Sequence, residues 1–166
     1  SYENQESNIS AYGRLYTWSA VMGGALSSNS IPSGVQGICP RGWHVPSDAE
    51  WMELELFLGM DPEEVLDNKI RGDKEGGMLK EKGTTHWMSP NGDASDLYGF
   101  AAVPGGERFW SGVFRDKTRR GCYWTSTKVQ HNAAWQRLFY HSHGKISRSD
   151  FSRISVGASV RFIKDQ

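Results

Sequence analysis

No stretch of these 166 residues approaches the ~20 consecutive apolar positions needed to cross a bilayer, and no basic, apolar and small-residue succession marks a signal peptide. A membrane-spanning helix is thereby excluded from the segment. Charge of one sign is missing too: nineteen Lys plus Arg balance nineteen Asp plus Glu, so no global field draws the chain toward nucleic acid or an anionic membrane. Cysteine is scarce. Cys39 and Cys122 allow a single bridge, which in an exported protein would close a loop of about 80 residues and contribute roughly 3–5 kcal/mol in the chain-entropy model. In a reducing compartment the same two residues are simply buried thiols. Aliphatic residues are sparse as well, which shifts the burden of packing onto aromatics: these make up 12% of the chain, with seven Trp, and nineteen Gly supply turns. The length suits one domain with a core that closes unaided.

What is present begins with Ile38-Cys-Pro-Arg-Gly-Trp-His-Val-Pro-Ser-Asp-Ala-Glu-Trp51, a buried strand turning into a capped helix. Ser47 caps with its hydroxyl, Glu50 reaches back to the Ser47 amide, and Trp51, Leu54 and Leu58, widened by Phe57, form an apolar stripe that Gly59 ends. The spacing predicts a helix over 47–58. Asp61-Pro62-Glu63-Glu64 repeats the start code and predicts a second over 62–68. Tyr12 to Trp18 reads as a strand running into a short helix stopped by Gly23-Gly24, and residues 69–97 as a long excursion with little regular structure. A meander of strands follows, closing on Ser155 to Ile163, where Val156, Ala158, Val160 and Phe162 share one face. Ser1 to Ser10 reads as a linker or a trimmed N-terminus from which an export signal was removed, leaving residues 11–166 as one domain. Helices first and strands later define an α+β class, with helices packed on one side of an antiparallel sheet.

Tyr12-Gly-Arg-Leu-Tyr-Thr-Trp18, Cys39 to Trp51, Gly99-Phe-Ala-Ala-Val-Pro-Gly-Gly106, Cys122-Tyr-Trp-Thr-Ser-Thr127, Ala134-Trp135 and Gly157-Ala-Ser-Val-Arg161 before Asp165 stand in one order. That series resembles the Fibrobacter succinogenes major paralogous domain, a family of surface and secreted proteins of the Bacteroidetes and Fibrobacteres. His44 to Trp51 is also similar to the strand-to-helix signature of formylglycine-generating enzymes. The resemblance implies a C-type lectin-like fold: two main helices around twisted antiparallel sheets, N- and C-terminal strands adjacent, and long loops that carry recognition. The family often closes on Ser-Val-Arg-Cys, but Phe162 stands here, so Cys122 is the only partner left for Cys39.

Chemistry-bearing residues are few. Neither cysteine has an adjacent base, since Arg41, Arg119 and Arg120 cannot act as one at neutral pH, and no cysteine pair of the sulfatase-modifying kind closes the chain. His141 and His143 share a strand face but lack a third ligand at metal spacing, so no metal site is assigned. Asn91-Gly-Asp-Ala-Ser-Asp96 is oxygen-rich, yet turn chemistry accounts for it, and calcium enters only by analogy with the fold. Arg115-Asp-Lys-Thr-Arg-Arg120, with Lys145, Arg148 and Arg153, reads as solvated turns, the sharper alternative being a frame for an anionic ligand. Trp18, Trp43, Trp51 and Trp124 are assigned to the core. Trp87, Trp110 and Trp135, with Arg115, Arg137, Tyr140, His141 and His143, are the candidate ligand-binding residues, because an exposed aromatic plate beside a polar side chain stacks on a sugar or anchors a protein.

The expectation is a non-catalytic binding module, secreted or on the outer-membrane surface, presenting residues 107–121 and 128–153 to a glycan or a protein of a host or neighbouring cell. The alternatives are a structural or adhesive subunit of a surface filament and, with least support, an enzyme related to the sulfatase modifiers.

Overall fold

The structure, a computed structural model, describes residues 2–165. A 3-10 turn (Tyr2–Asn4) leads into helices α1 (Ser7–Tyr12) and α2 (Trp18–Met22), strand β1 (Trp43–His44), helix α3 (Asp48–Phe57), strand β2 (Ile70–Arg71) and helix α4 (Glu75–Leu79). Strands β3 (Glu107–Arg108), β4 (Phe114–Arg115), β5 (Arg120–Gln130), β6 (Ala133–Tyr140), β7 (Ile146–Ser149) and β8 (Ile163–Lys164) complete the chain. The class is α+β, with antiparallel pairing between all named strands.

α3 forms where its cap dictates. Ser47 Oγ accepts from Glu50 N (3.1 Å) and Glu50 Oε2 accepts from Ser47 N (2.8 Å), so two amides with no helical partner are satisfied reciprocally. Trp51 and Leu58 are buried and Leu54 half-buried, whereas Phe57 is 68% exposed and does not join the stripe. α3 is the only helix among the described residues longer than two turns, which corrects the expectation of two main helices. Residues 62–68 make turns instead: Asp61 Oδ1 accepts from Glu63 N (2.7 Å), while Glu64 Oε2 is drawn away to Gly72 N (3.0 Å).

The central sheet runs β2-β7-β6-β5 and is buried on both faces. Opposed residues of an antiparallel pair point the same way. Cys122↔Leu138 and Trp124↔Gln136 therefore share one face, and Gly121↔Phe139 and Tyr123↔Arg137 the other. The first face closes a core with Trp18, Val21, Met22, Val45 and Val156; the second closes another with Trp51, Leu79, Trp87, Ala102 and Ile146. Alternation along β6 thus separates two interiors rather than core from solvent.

The ends of the domain meet. Tyr16 bridges Ala158, and β1 pairs with β8 through Trp43↔Lys164 and His44↔Ile163. The segment from Tyr12 is helix and coil with that single bridge, not a strand, and residues 155–162 form isolated bridges before β8. Residues 2–10, read from sequence as a linker, are mostly helical and packed: Tyr2 is buried with its ring 5.0 Å from that of Phe114, and Asn8 Nδ2 donates to the Tyr2 carbonyl (2.9 Å).

Candidate functional site

Both loop regions singled out by sequence converge on one cleft. The β3–β4 turn closes through Phe109 N to Val113 O (2.7 Å), and Gly112, at φ +91°, supplies the left-handed residue it needs. Arg108 and Gly157 exchange backbone hydrogen bonds of 2.8 and 2.7 Å, and this double tie brings the turn against the segment after β7. Trp110, Phe151 and Arg153 then line an opening of about 200 Å³ together with Gln136 and Leu138 of β6. Trp110 is 51% exposed and Phe151 85%. The Arg153 guanidinium lies 4.7 Å from the Trp110 ring centre, and Phe109 supports that ring at 3.9 Å.

Beneath the aromatic rim the cleft is polar. Glu107 accepts from Arg115 (3.2 Å) and Arg120 (2.5 Å), and Arg120 also meets Asp116 (2.7 Å). Ser152 Oγ donates to Gln136 Oε1 (2.8 Å), which orients the amide. Gln136 Nε2 and Arg120 Nε are buried without a partner. Two unused donors in one small cleft are uncommon, because a buried polar group left unpaired costs about 1–3 kcal/mol.

The other residues expected at a site are distributed differently. Arg115 stands at the edge of this cleft, its guanidinium 3.8 Å from the Phe109 ring centre. Trp87 is core, 2% exposed, with its indole N–H on the Ala102 carbonyl (2.9 Å). Arg137 is also core: it is fully buried and bonds Glu55 and Asp48 of α3 (2.6 Å each), so an arginine read as ligand-facing instead ties helix to sheet. Trp135 lies half-buried on that α3-side face, with Arg148 stacked at 3.7 Å. Tyr140, His141 and His143 gather at the far end of β6. The rings of Tyr140 and His143 are 5.1 Å apart, and His141 Nδ1 is 3.2 Å from the Ser89 carbonyl. Of the eight candidates, only Trp110 lines the cleft. Phe151 and Gln136 were missed, the one signal being an isolated Phe within the polar run Ser149-Asp-Phe-Ser-Arg153, while Arg153 had entered only among the basic residues read as solvated turns or as a frame for an anionic ligand.

A second, larger cleft of about 940 Å³ opens beside β1 and β8, rimmed by Ile31, Trp43, Phe57 and Ile163. Trp43, assigned from sequence to the core, is 38% exposed there. At its base His44 is held between carboxylates, Nε2 to Glu50 Oε1 (2.8 Å) and Nδ1 to Asp165 Oδ1 (2.7 Å). Burial alone would lower the imidazole pKa, but hydrogen bonds to Asp165 and Glu50 and their charges outweigh it and the pKa is raised. With both ring nitrogens engaged, His44 is a clamp between β1, α3 and the C-terminal segment.

The remaining chemistry resolves simply. Cys39 and Cys122 are buried in the same core as free thiols, not the disulfide weighed from sequence. Burial pushes their pKa values up to about 11 and about 12. The oxygen-rich loop bonds backbone: Asp93 Oδ2 accepts from Gly144 N (2.9 Å), Asp96 Oδ1 from Ala101 N (2.7 Å), and Asn91 Nδ2 donates to the Glu81 and Gly83 carbonyls, while Asn91 Oδ1 is buried without a partner. Among the described residues no three His, Cys, Asp or Glu converge as a metal-holding group, and no helix is long and apolar enough to cross a membrane.

The capped α3, the doubly buried sheet and the β1–β8 clasp form the scaffold of this α+β fold. The chain belongs to the Fibrobacter succinogenes major domain family, whose model matches residues 1–164. No curated protein and no solved structure matches it.

Proposed function

We propose that the domain is a non-catalytic binding module of the cell exterior, secreted or on the outer-membrane surface, that takes a carbohydrate in the Trp110 cleft. The observation that carries this reading is the pairing of exposed aromatic rings, Trp110 and Phe151, with unused hydrogen-bond donors beneath them. A sugar presents an apolar C–H face for stacking and hydroxyl oxygens for donors, and so answers both halves of the cleft. The non-catalytic part rests on the thiols, sealed and held protonated, and on His44, whose two nitrogens are already engaged. We assign the domain a C-type lectin-like fold, supported by the meeting of its two ends and by the convergence of its long loops on one opening.

The test is a glycan and protein array on the purified domain, with wild type and Trp110→Ala side by side. Saturable sugar binding that disappears in the variant supports the reading; binding unaffected by it moves the site, and a flat glycan array overturns it. A second reading, a subunit of a surface assembly, is favoured by the exposed Ile31, Phe57 and Ile163 around the larger cleft. Concentration-dependent association that Phe57→Ser abolishes would shift weight to it.

A further inference from the structure

We infer that the ligand of the Trp110 cleft is a pyranose carrying an anionic substituent, a carboxylate or a sulfate; this rests on the carbohydrate reading above and narrows it. Three guanidinium groups, Arg115, Arg120 and Arg153, gather at the cleft, and two carboxylates, Glu107 and Asp116, answer them. Glu107 is shared between Arg115 and Arg120, and Asp116 is taken by Arg120. Arg153 has no ion-pair partner among the described residues. The neighbouring Asp150 makes no ion pair with it: its Oδ2 accepts from Asn68 Nδ2 (2.6 Å) and its Oδ1 is buried without a partner. The excess charge is therefore positive and sits on an exposed side chain at the rim.

The hydrogen-bonding balance points the same way. Of the buried polar atoms without a partner there, one acceptor, Asp150 Oδ1, stands against two N–H donors, Arg120 Nε and Gln136 Nε2, and Gln136 is 1% exposed. Its oxygen is already used by Ser152 (2.8 Å), so the amide offers the cleft a donor and no free acceptor. A neutral sugar hydroxyl can accept one such bond but brings a proton that needs an acceptor. A carboxylate or sulfate oxygen only accepts, and a guanidinium meets either group with two parallel bonds. The opening of about 200 Å³ holds one ring, with the apolar face of that ring against Phe151 and the free part of Trp110 and its anionic group beside Arg153.

Titration of the whole chain, followed by calorimetry and by saturation-transfer NMR, separates the cases with five probes: methyl glucoside, methyl glucuronide, glucose 6-sulfate, and acetate and inorganic sulfate as ring-free anions. The expected result is that at least one charged sugar binds about tenfold or more tightly than the glucoside, with the two arms telling carboxylate from sulfate. Arg153→Gln, an exposed substitution that leaves the fold intact, brings that sugar down to the glucoside's affinity, and Trp110→Ala abolishes both. Glucoside and charged sugars binding alike, all lost in Trp110→Ala, would overturn this inference and leave carbohydrate binding standing. Ring-free anions binding as tightly as the charged sugars overturn it as well, and no sugar binding at all removes both readings.

Discussion

His44 and Asp165 are joined by a 2.7 Å hydrogen bond although 121 residues separate them in sequence. The bond fastens the C-terminal segment to the strand that precedes α3, and its strength depends on the imidazole carrying a proton. Because the folded-state pKa is raised, the stabilisation is full below the unfolded value of about 6.5 and is lost as pH rises through the folded value. His44→Gln should cost roughly 1.5–3 kcal/mol at about pH 5.5, with the gap from wild type shrinking toward about pH 9. Urea unfolding of both proteins across that range checks it. A gap independent of pH would show that the imidazole acts only by packing.

The buried charge network of α3 and β6 behaves in the opposite sense. Burial would raise the Asp48 pKa, but Arg148 and Arg137 outweigh it and hold it below the ordinary carboxylate value. Its contribution is present above the unfolded pKa of about 3.9 and is lost as pH falls through the folded one. Arg137→Met leaves Asp48 and Glu55 short of a buried partner and should destabilise by about 3–5 kcal/mol at neutral pH. Denaturant midpoints at constant slope measure it, and a loss below about 1 kcal/mol would contradict the assignment.

Lys80 is fully buried, and its ammonium donates to the carbonyls of Gly92 (2.8 Å), Tyr140 (2.8 Å) and His143 (3.0 Å). Burial lowers its pKa to about 8, so it remains charged at neutral pH and joins the loop after α4 to the end of β6. Lys80→Met strips three carbonyls of their donor. The expected result is a loss of at least about 3 kcal/mol and amide exchange at Gly92 and Gly144 faster by about tenfold or more. Unchanged exchange there would mean that the loops hold each other without the lysine.

Cys39 and Cys122 should be silent toward Ellman's reagent in the native protein, since both are buried and held protonated well above neutral pH. Both should react once the chain is unfolded in guanidinium without reductant. A native chain that yields no thiol after unfolding would instead carry the bridge.

α3 was legible in the sequence because its signal is local: cap, return acid and apolar stripe lie within twelve residues of one another. The apolar run Ala133 to Tyr140, set off by turn residues, likewise reads as a strand in the sequence and is β6. The turn at 62–66 was not legible: Asp61 caps it as it would a helix, accepting from Glu63 N, but Glu64 is drawn to Gly72 N and the turn does not propagate. Arg137 was misread because an arginine in an alternating strand normally faces water, and its partners come from helix positions that look like a solvated acidic face. Of the cleft, Trp110 was visible as an aromatic in a turn. Phe151 and Arg153 reach it through the Arg108–Gly157 tie and the bridge of Arg153 to Ala133, backbone pairings that leave no mark in side-chain pattern.

The Arg108–Gly157 tie has an evolutionary consequence. Since the turn bearing Trp110 is moored through the main chain of Arg108 and Gly157, mutation can rewrite its tip, Gly112 apart, without disturbing its posture. Lineages can thus trade one specificity for another on an unchanged chassis.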